Sequence, residues 1–286
     1  MTAIVFDERS CTLGEGPLWH PTRKQLFWFD ILEKKLLTRD AAGQRDWSFD
    51  EDVSAAGWVD RDTLLIASAT GLWRFDLRDG GRTNVSGLET DTKTTRSNDG
   101  RADPWGGFWI GTMGYNAEQN AGAIYRLYKG EIRKLFGDIT ISNAICFAPD
   151  RRCAYFTDTP TGKILRVSLD NDGWPKEAPK VLVDLAPEGL NPDGAVVDTS
   201  GNLWVAQWGA ARVAVYSDTG LFLNAIPLPA QQVTCPAFGG DDLKTLYATS
   251  ARIGLAQSVH EASPTQGMTF ACETTSQGIP EPQVVL

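Results

Sequence analysis

Histidine is nearly absent from this chain: its 286 residues include two, His20 and His260. A histidine-rich metal site is excluded, and a Ser-His-Asp triad would have to use one of that pair. No Gly-x-Ser-x-Gly stretch occurs, so the common serine-nucleophile turn is missing as well. The cysteines are odd in number, and their spacings fit neither a zinc clip nor a disulfide framework. Cys11, Cys146, Cys153, Cys235 and Cys272 read as small buried apolar residues in a reducing compartment. Basic residues are outnumbered, 27 against 36 acidic, giving a net charge of −9. That balance disfavours a nucleic-acid partner. No apolar run reaches the roughly 18 residues of a membrane span. The first residues lack a basic segment followed by an apolar one, so no signal peptide is read and a cytoplasmic location is expected.

Long amphipathic helical patterns are also scarce. Short alternating or apolar runs recur instead, between Asp, Gly, Asn and Pro. A polar turn followed by an apolar pair, usually with an aromatic, appears around Trp28, Leu65, Trp109, Tyr155, Trp204 and Tyr247. The intervals are 37, 44, 46, 49 and 43 residues. A second alternating run follows most copies, as in Gly71–Asp76, Lys163–Val167 and Arg212–Tyr216. A period in the forties points to an all-β, six-bladed β-propeller with about one four-stranded sheet per copy. A β-sandwich is the competing architecture, and the regular intervals favour the propeller. No linker divides the chain, so residues 1–286 are read as one domain. Ala3–Phe6 and the tail near Val284-Val285 are the candidates for closing the ring.

Acids and amides set among glycine and proline are the candidate functional residues, because a merely solvated charge needs no such backbone. Four stretches qualify, each just ahead of a repeated strand. They hold Glu15 between two glycines, Arg96 and Asn98 in Arg96-Ser97-Asn98-Asp99-Gly100, Asn143 in an apolar setting, and Asp193 before Gly194. Each also has a plain reading. Asn98-Asp99-Gly100 and Pro192-Asp193-Gly194 are turn signals, Asn143 fits a satisfied core amide, and Glu15 fits a rim acid. Their shared offset from successive repeats argues that they converge at one channel mouth. His20, beside Pro21, reads as a turn residue. Tyr115 and Trp208 read as core aromatics, and Asp158 as either a channel residue or a turn cap.

Several of these motifs together resemble the gluconolactonase/regucalcin (senescence-marker protein) family. They are Gly14-Glu15-Gly16-Pro17-Leu18-Trp19, Ser97–Pro104, Gly111-Thr112-Met113, Ser142-Asn143, Asn191-Pro192-Asp193-Gly194 and Phe238–Tyr247. The likeness runs from about residue 11 to the C-terminus. It implies a six-bladed propeller with a central metal site. One divalent cation would be held by Glu15, Asn143 and Asp193, with Arg96 and Asn98 on the substrate. Animal members carry a glutamate three residues past the methionine; Asn116 stands there in this chain and is expected to take that substrate-binding position.

Two carboxylates and an amide oxygen suit Ca²⁺, Mg²⁺ or Mn²⁺, with Zn²⁺ or Fe²⁺ admitted. The expected reaction is water attack on a sugar lactone whose carbonyl the metal polarises, with Asp193 as general base. Competing readings are a phosphotriesterase or other esterase on the same site, and a non-enzymatic calcium-binding propeller. The expected partner is a small pentono- or hexonolactone, and the protein a monomer or weak dimer.

Overall fold

In Phe27-Trp28-Phe29, neighbouring side chains must leave a strand on opposite faces. The structure, a computed structural model describing residues 2–286, shows what the two faces meet. Met1, part of the expected 1–286 domain, lies outside the described residues. Phe27 and Phe29 pack with Leu64, Ile66 and Phe75 of the next sheet. Trp28, between them, packs with Tyr247 and Ala271 of the preceding one. Phe108 and Trp109 divide in the same way, Phe108 against Leu65 and Trp109 against Ile145 and Phe156. The sequence repeat is thus a strand that feeds both of its neighbours.

Six four-stranded antiparallel sheets result, and the apolar clusters lie between successive sheets. With its core divided among those junctions, the ring keeps its axis for polar side chains. This is the expected all-β six-bladed β-propeller. The first sheet is Gly14–His20, Gln25–Asp30, Lys35–Asp40 and Gly43–Ser48, from the axis outwards. The other inner strands are Val53–Asp60, Thr95–Ala102, Ser142–Phe147, Asn191–Val197 and Gln232–Gly239. All six repeated aromatic or leucine positions fall in the second strand of a blade. Among the described residues no helix is long and apolar enough to cross a membrane.

Ring closure follows half of the expectation. Ile4–Asp7 is the outermost strand of the sixth blade, with Ile4 opposite Ala271. Val284-Val285 joins no sheet, because Ile4–Asp7 already fills that outer slot. The tail instead straps the far end of the ring under blades 2 and 3. Val284 N–H donates to Trp58 O at 2.9 Å, Val285 N–H to Gly106 O at 2.9 Å, and Trp58 Nε1 to Glu281 O at 2.8 Å. Val284 is buried among Ala55, Leu65 and Phe108, an apolar wedge in the junction of those blades.

Glu281 forms a buried ion pair with Arg101. Arg101 also donates to Ile145 O and Ala195 O, both at 3.3 Å, so the pair lies across the axis and reaches blades 4 and 5. A cavity of about 490 Å³ at this end is lined by Trp105, Phe147, Val196, Pro280 and Val285, among others. None of the candidate site residues lines it.

Candidate metal and active site

The four candidate stretches are inner strands rather than loops. Their glycines and prolines serve β-bulges, where an extra residue re-aims the side chains. The register of every inner strand slips at the same level. The last residues paired before the slip are Glu15, Val53, Ser97, Asn143, Pro192 and Val233. Gly16 has φ +55° and would set a Cβ 2.3 Å from Ser54 O of the next blade. At Gly194 a Cβ would lie 2.3 Å from Cys235 Sγ. Glycine is required at both positions for the inner strands to approach so closely.

The bulges bring most of the expected residues together. Glu15, Arg96, Asn98, Asn143 and Asp193 are all buried, none more than 6% exposed. Arg96 Nη1 donates to Ser97 O at 2.8 Å and to Asn98 Oδ1 at 2.9 Å. Asn98 Nδ2 donates to Ser142 O at 2.9 Å and to Asn143 Oδ1 at 3.3 Å. Asn143 Nδ2 donates to Thr159 Oγ1 at 2.9 Å, whose hydroxyl passes on to Pro192 O at 2.8 Å. A chain of amides therefore links blades 3, 4 and 5, and it leaves Asn143 Oδ1 with a single long contact.

The carboxylates are poorly served by comparison. Burial pushes Glu15 up to about 8; the charge of Asp99 adds to this, while the Gly16 N–H and Arg96 oppose it. Burial also holds Asp193 well above the usual carboxylate range, reinforced by Glu15 and Asp99, with only the Gly194 N–H pulling back. Burial lowers the Arg96 guanidinium, against the charges of Asp52, Glu15 and then Tyr115. Both acids are thus buried without an ion-pair partner among the described residues, a setting that disfavours their charged forms. The candidate donor set is hard oxygen, from Glu15, Asp193 and the Asn143 amide. Among the described residues no three His, Cys, Asp or Glu side chains are grouped to hold a metal.

Some expectations need correction. Asn116 is exposed, and its Nδ2 donates to Glu118 Oε1 at 2.9 Å within its own loop. Its side chain is engaged there, because the loop after Gly114 turns back on Glu118. Tyr115 takes the neighbouring place: it is 46% exposed rather than in the core, and its charge environment is set by Asp52 and Arg96. Trp208 is half-buried at the end of its strand. Asp158 Oδ1 accepts from Ile141 N–H at 2.8 Å and caps a turn. His20 ends an inner strand rather than sitting in a turn; it is buried, with Nε2 3.0 Å from Asp60 O. His260 lies on the short helix Gln257–Ala262. The five cysteines are buried and free, as read from their spacing.

Asp99 was legible only as a turn residue. It is a third buried acid of the channel, pushed up to about 6 by burial while the Ile145 N–H and Arg101 draw it down. Asp99 Oδ2 accepts that N–H at 2.7 Å. Asp52 was hidden in the acidic run Asp50-Glu51-Asp52, which reads as solvated surface. Its one sequence signal is its place directly before the inner strand of blade 2.

Asn98 makes three of the contacts that order this wall. Asn98→Ala leaves Arg96 short of an acceptor inside the protein and Ser142 O short of a donor. A loss of about 1–3 kcal/mol is expected. At about 2–4 °C per kcal/mol in chains near this size, thermal unfolding should read a midpoint several degrees lower.

Comparison with known proteins identifies relatives along nearly the whole chain. A family profile described as "SMP-30/Gluconolactonase/LRE-like region" matches residues 13–252. A 6-deoxy-6-sulfogluconolactonase of Pseudomonas putida is 34% identical over 276 residues, covering 94% of this chain and 94% of that protein. An L-arabinolactonase of Azospirillum brasilense is 34% identical over 283 residues, covering 96% and 93%. The crystal structure of a calcium-binding protein, regucalcin, from Agrobacterium tumefaciens str. C58 superposes with a TM-score of 0.97. It is 38% identical, with 100% of this chain and 98% of that one covered.

Proposed function

Because this chain belongs to the SMP-30/gluconolactonase/LRE-like family, we propose that it is a hydrolase of carboxylic esters. In our reading it opens a pentono- or hexonolactone to the sugar acid with the help of one divalent cation, as a cytoplasmic propeller of residues 1–286. The relatives named as lactonases support the reaction class. The observation that carries the metal is the pair of buried acids, Glu15 and Asp193, both raised first by burial, Glu15 further by the charge of Asp99 and Asp193 by those of Glu15 and Asp99.

Glu15, Asn143 and Asp193 would hold the cation. A bound divalent cation supplies Lewis-acid polarisation of the lactone carbonyl, worth several kcal/mol. Arg96 and Asn98 hydrogen-bond the lactone and set its angle to the attacking water. Asp193 takes the proton of that water as it adds to the carbonyl carbon. The ring C–O bond then breaks, and the proton returns to the departing ring oxygen, which becomes a hydroxyl. Asp99, below the two acids, keeps the floor of the site negative and so favours a cation over a bound anion.

The test is a pH-indicator assay of chelated protein on a panel of pentono- and hexonolactones, with Ca²⁺, Mg²⁺, Mn²⁺, Zn²⁺ and Fe²⁺ restored one at a time. Hydrolysis should vanish on chelation and return with at least one metal. That metal at 100 times its dissociation constant should stabilise the fold by about 2.7 kcal/mol. Thermal unfolding should read this as a midpoint higher by roughly 5–10 °C. Hydrolysis that survives both chelation and Glu15→Ala would overturn the metal assignment. Metal binding without turnover of any lactone would favour a calcium-binding propeller.

A further inference from the structure

The register of the inner strands puts Asp52 and Arg96 at the same height on adjacent blades. Each precedes by one residue the last pair before its bulge, Val53 in blade 2 and Ser97 in blade 3. Both side chains are buried, Asp52 at 8% and Arg96 at 5% exposure. Asp52 is the foremost charge acting on Arg96, ahead of Glu15. Even so, no direct ion pair joins them among the described residues, and no donor reaches the Asp52 carboxylate. Its backbone is fixed, since Asp52 O accepts Ala69 N–H at 2.9 Å. Glu51 differs: its Oε1 accepts from the hydroxyls of Ser68 and Thr70, and its Oε2 is sealed from solvent. The Asp52 oxygens are not sealed.

Arg96 is half-served in the same way. Its Nη1 is committed to Ser97 O and Asn98 Oδ1, while Nε and Nη2 meet no acceptor among the described residues. Tyr115 completes the group. Its N–H donates to Thr94 O at 3.0 Å, its ring is exposed, and the charges of Asp52 and Arg96 both act on its phenol. Free acceptors on one blade thus sit near free donors on the next, with the exposed Tyr115 in reach of both charges.

We propose that Asp52, with Arg96 and Tyr115, forms a subsite for the hydroxyls of the sugar and selects neutral polyhydroxylated substrates over those with an anionic substituent. This deepens the lactonase reading and rests on it. A hydroxyl is both donor and acceptor, so neighbouring hydroxyls serve Asp52 and Arg96 together. A phosphate or sulfonate serves Arg96 but sets its charge against Asp52, with Glu15 and Asp193 below. Asp52 is thus a residue that determines specificity, with no part in the bond-breaking step.

The test is calorimetric binding of D-glucitol and D-glucitol 6-phosphate to the metal-loaded protein, a pair that differs only in the phosphate. The wild type should bind the neutral polyol more tightly. Asp52→Ala should weaken glucitol about tenfold, as expected for a lost hydrogen bond to a charged group. Asp52→Asn keeps an acceptor without the charge. It should hold glucitol within about threefold while binding the 6-phosphate about tenfold better. With a lactone that is turned over, Asp52→Ala should raise KM and leave kcat within about threefold. Tighter wild-type binding of the phosphate, no binding of either polyol, or an unchanged ratio in Asp52→Asn would overturn the proposal. An unchanged unfolding midpoint shows that the variants are folded. If no lactone is hydrolysed but the binding ratios shift as stated, the lactonase reading falls and the subsite stands. The reverse result separates the two the other way.

Discussion

Asp193→Asn is expected to lower kcat/KM for a sugar lactone by about 10²–10⁴-fold, the range of general-base assistance. The substitution is nearly isosteric, and the site gives it room to fold. Asp193 opens the bulge of blade 5, where the following Gly194 already meets Cys235 without space for a Cβ. The asparagine keeps an oxygen donor while losing the charge and the basic site. Metal affinity, measured by titration, separates its two roles. A metal affinity within tenfold of wild type beside a large fall in kcat assigns Asp193 as the base. A parallel loss of both assigns it as a ligand alone. Ordinary turnover in Asp193→Asn would remove it from the chemistry. The same variant relieves the crowding of buried acids, since Glu15 and Asp99 are the charges that raise Asp193. Metal-free Asp193→Asn should therefore unfold at a higher temperature than the metal-free wild type.

The second large effect is one of stability and lies at the opposite end of the axis. Glu281→Ala is expected to destabilise the fold by about 3–5 kcal/mol, because it strands the Arg101 guanidinium without its partner. The side chains of Arg101 and Glu281 are 10% and 7% exposed, so water cannot stand in for the lost charge. At about 2–4 °C per kcal/mol, the unfolding midpoint should drop by roughly 10 °C. Trp58 Nε1 donates to the main chain of Glu281, so the strap keeps that tether in the variant. Replacing both partners, Arg101→Met with Glu281→Leu, should recover most of the loss, since a filled apolar gap carries no unpaired charge. If Glu281→Ala unfolds within a degree of wild type, the pair contributes little, and the tail is held by Val284 and its main-chain hydrogen bonds.

The propeller was legible in sequence because its core is built by alternation. A strand such as Phe27-Trp28-Phe29 serves two junctions at once, so the aromatic pair has to recur in each blade. The tail was not legible. Val284-Val285 has the composition of a strand, but nothing local reveals that Ile4–Asp7 takes the last slot and leaves the tail to fold underneath. Glu15, Arg96, Asn98, Asn143 and Asp193 stood out because acids and amides beside glycine and proline are costly without a reason. Asp99 and Asp52 did not. A bulge and a turn share the letters Asn-Asp-Gly, and three consecutive acids look like surface until blade register sets one of them beside Arg96. Asn116 was picked from its position in a motif, which does not reveal that its side chain donates to Glu118 two residues on.

The tail also decides how molecules travel. With Arg101 and Glu281 paired across the axis, the tail end of the ring is obstructed. On the proposed reading, a ligand that enters past Asp52, Arg96 and Tyr115 would leave the same way. In the proposed reaction the opened lactone is an anion, and it would depart past Asp52, which is buried at that mouth. Substrate and product would then share one door.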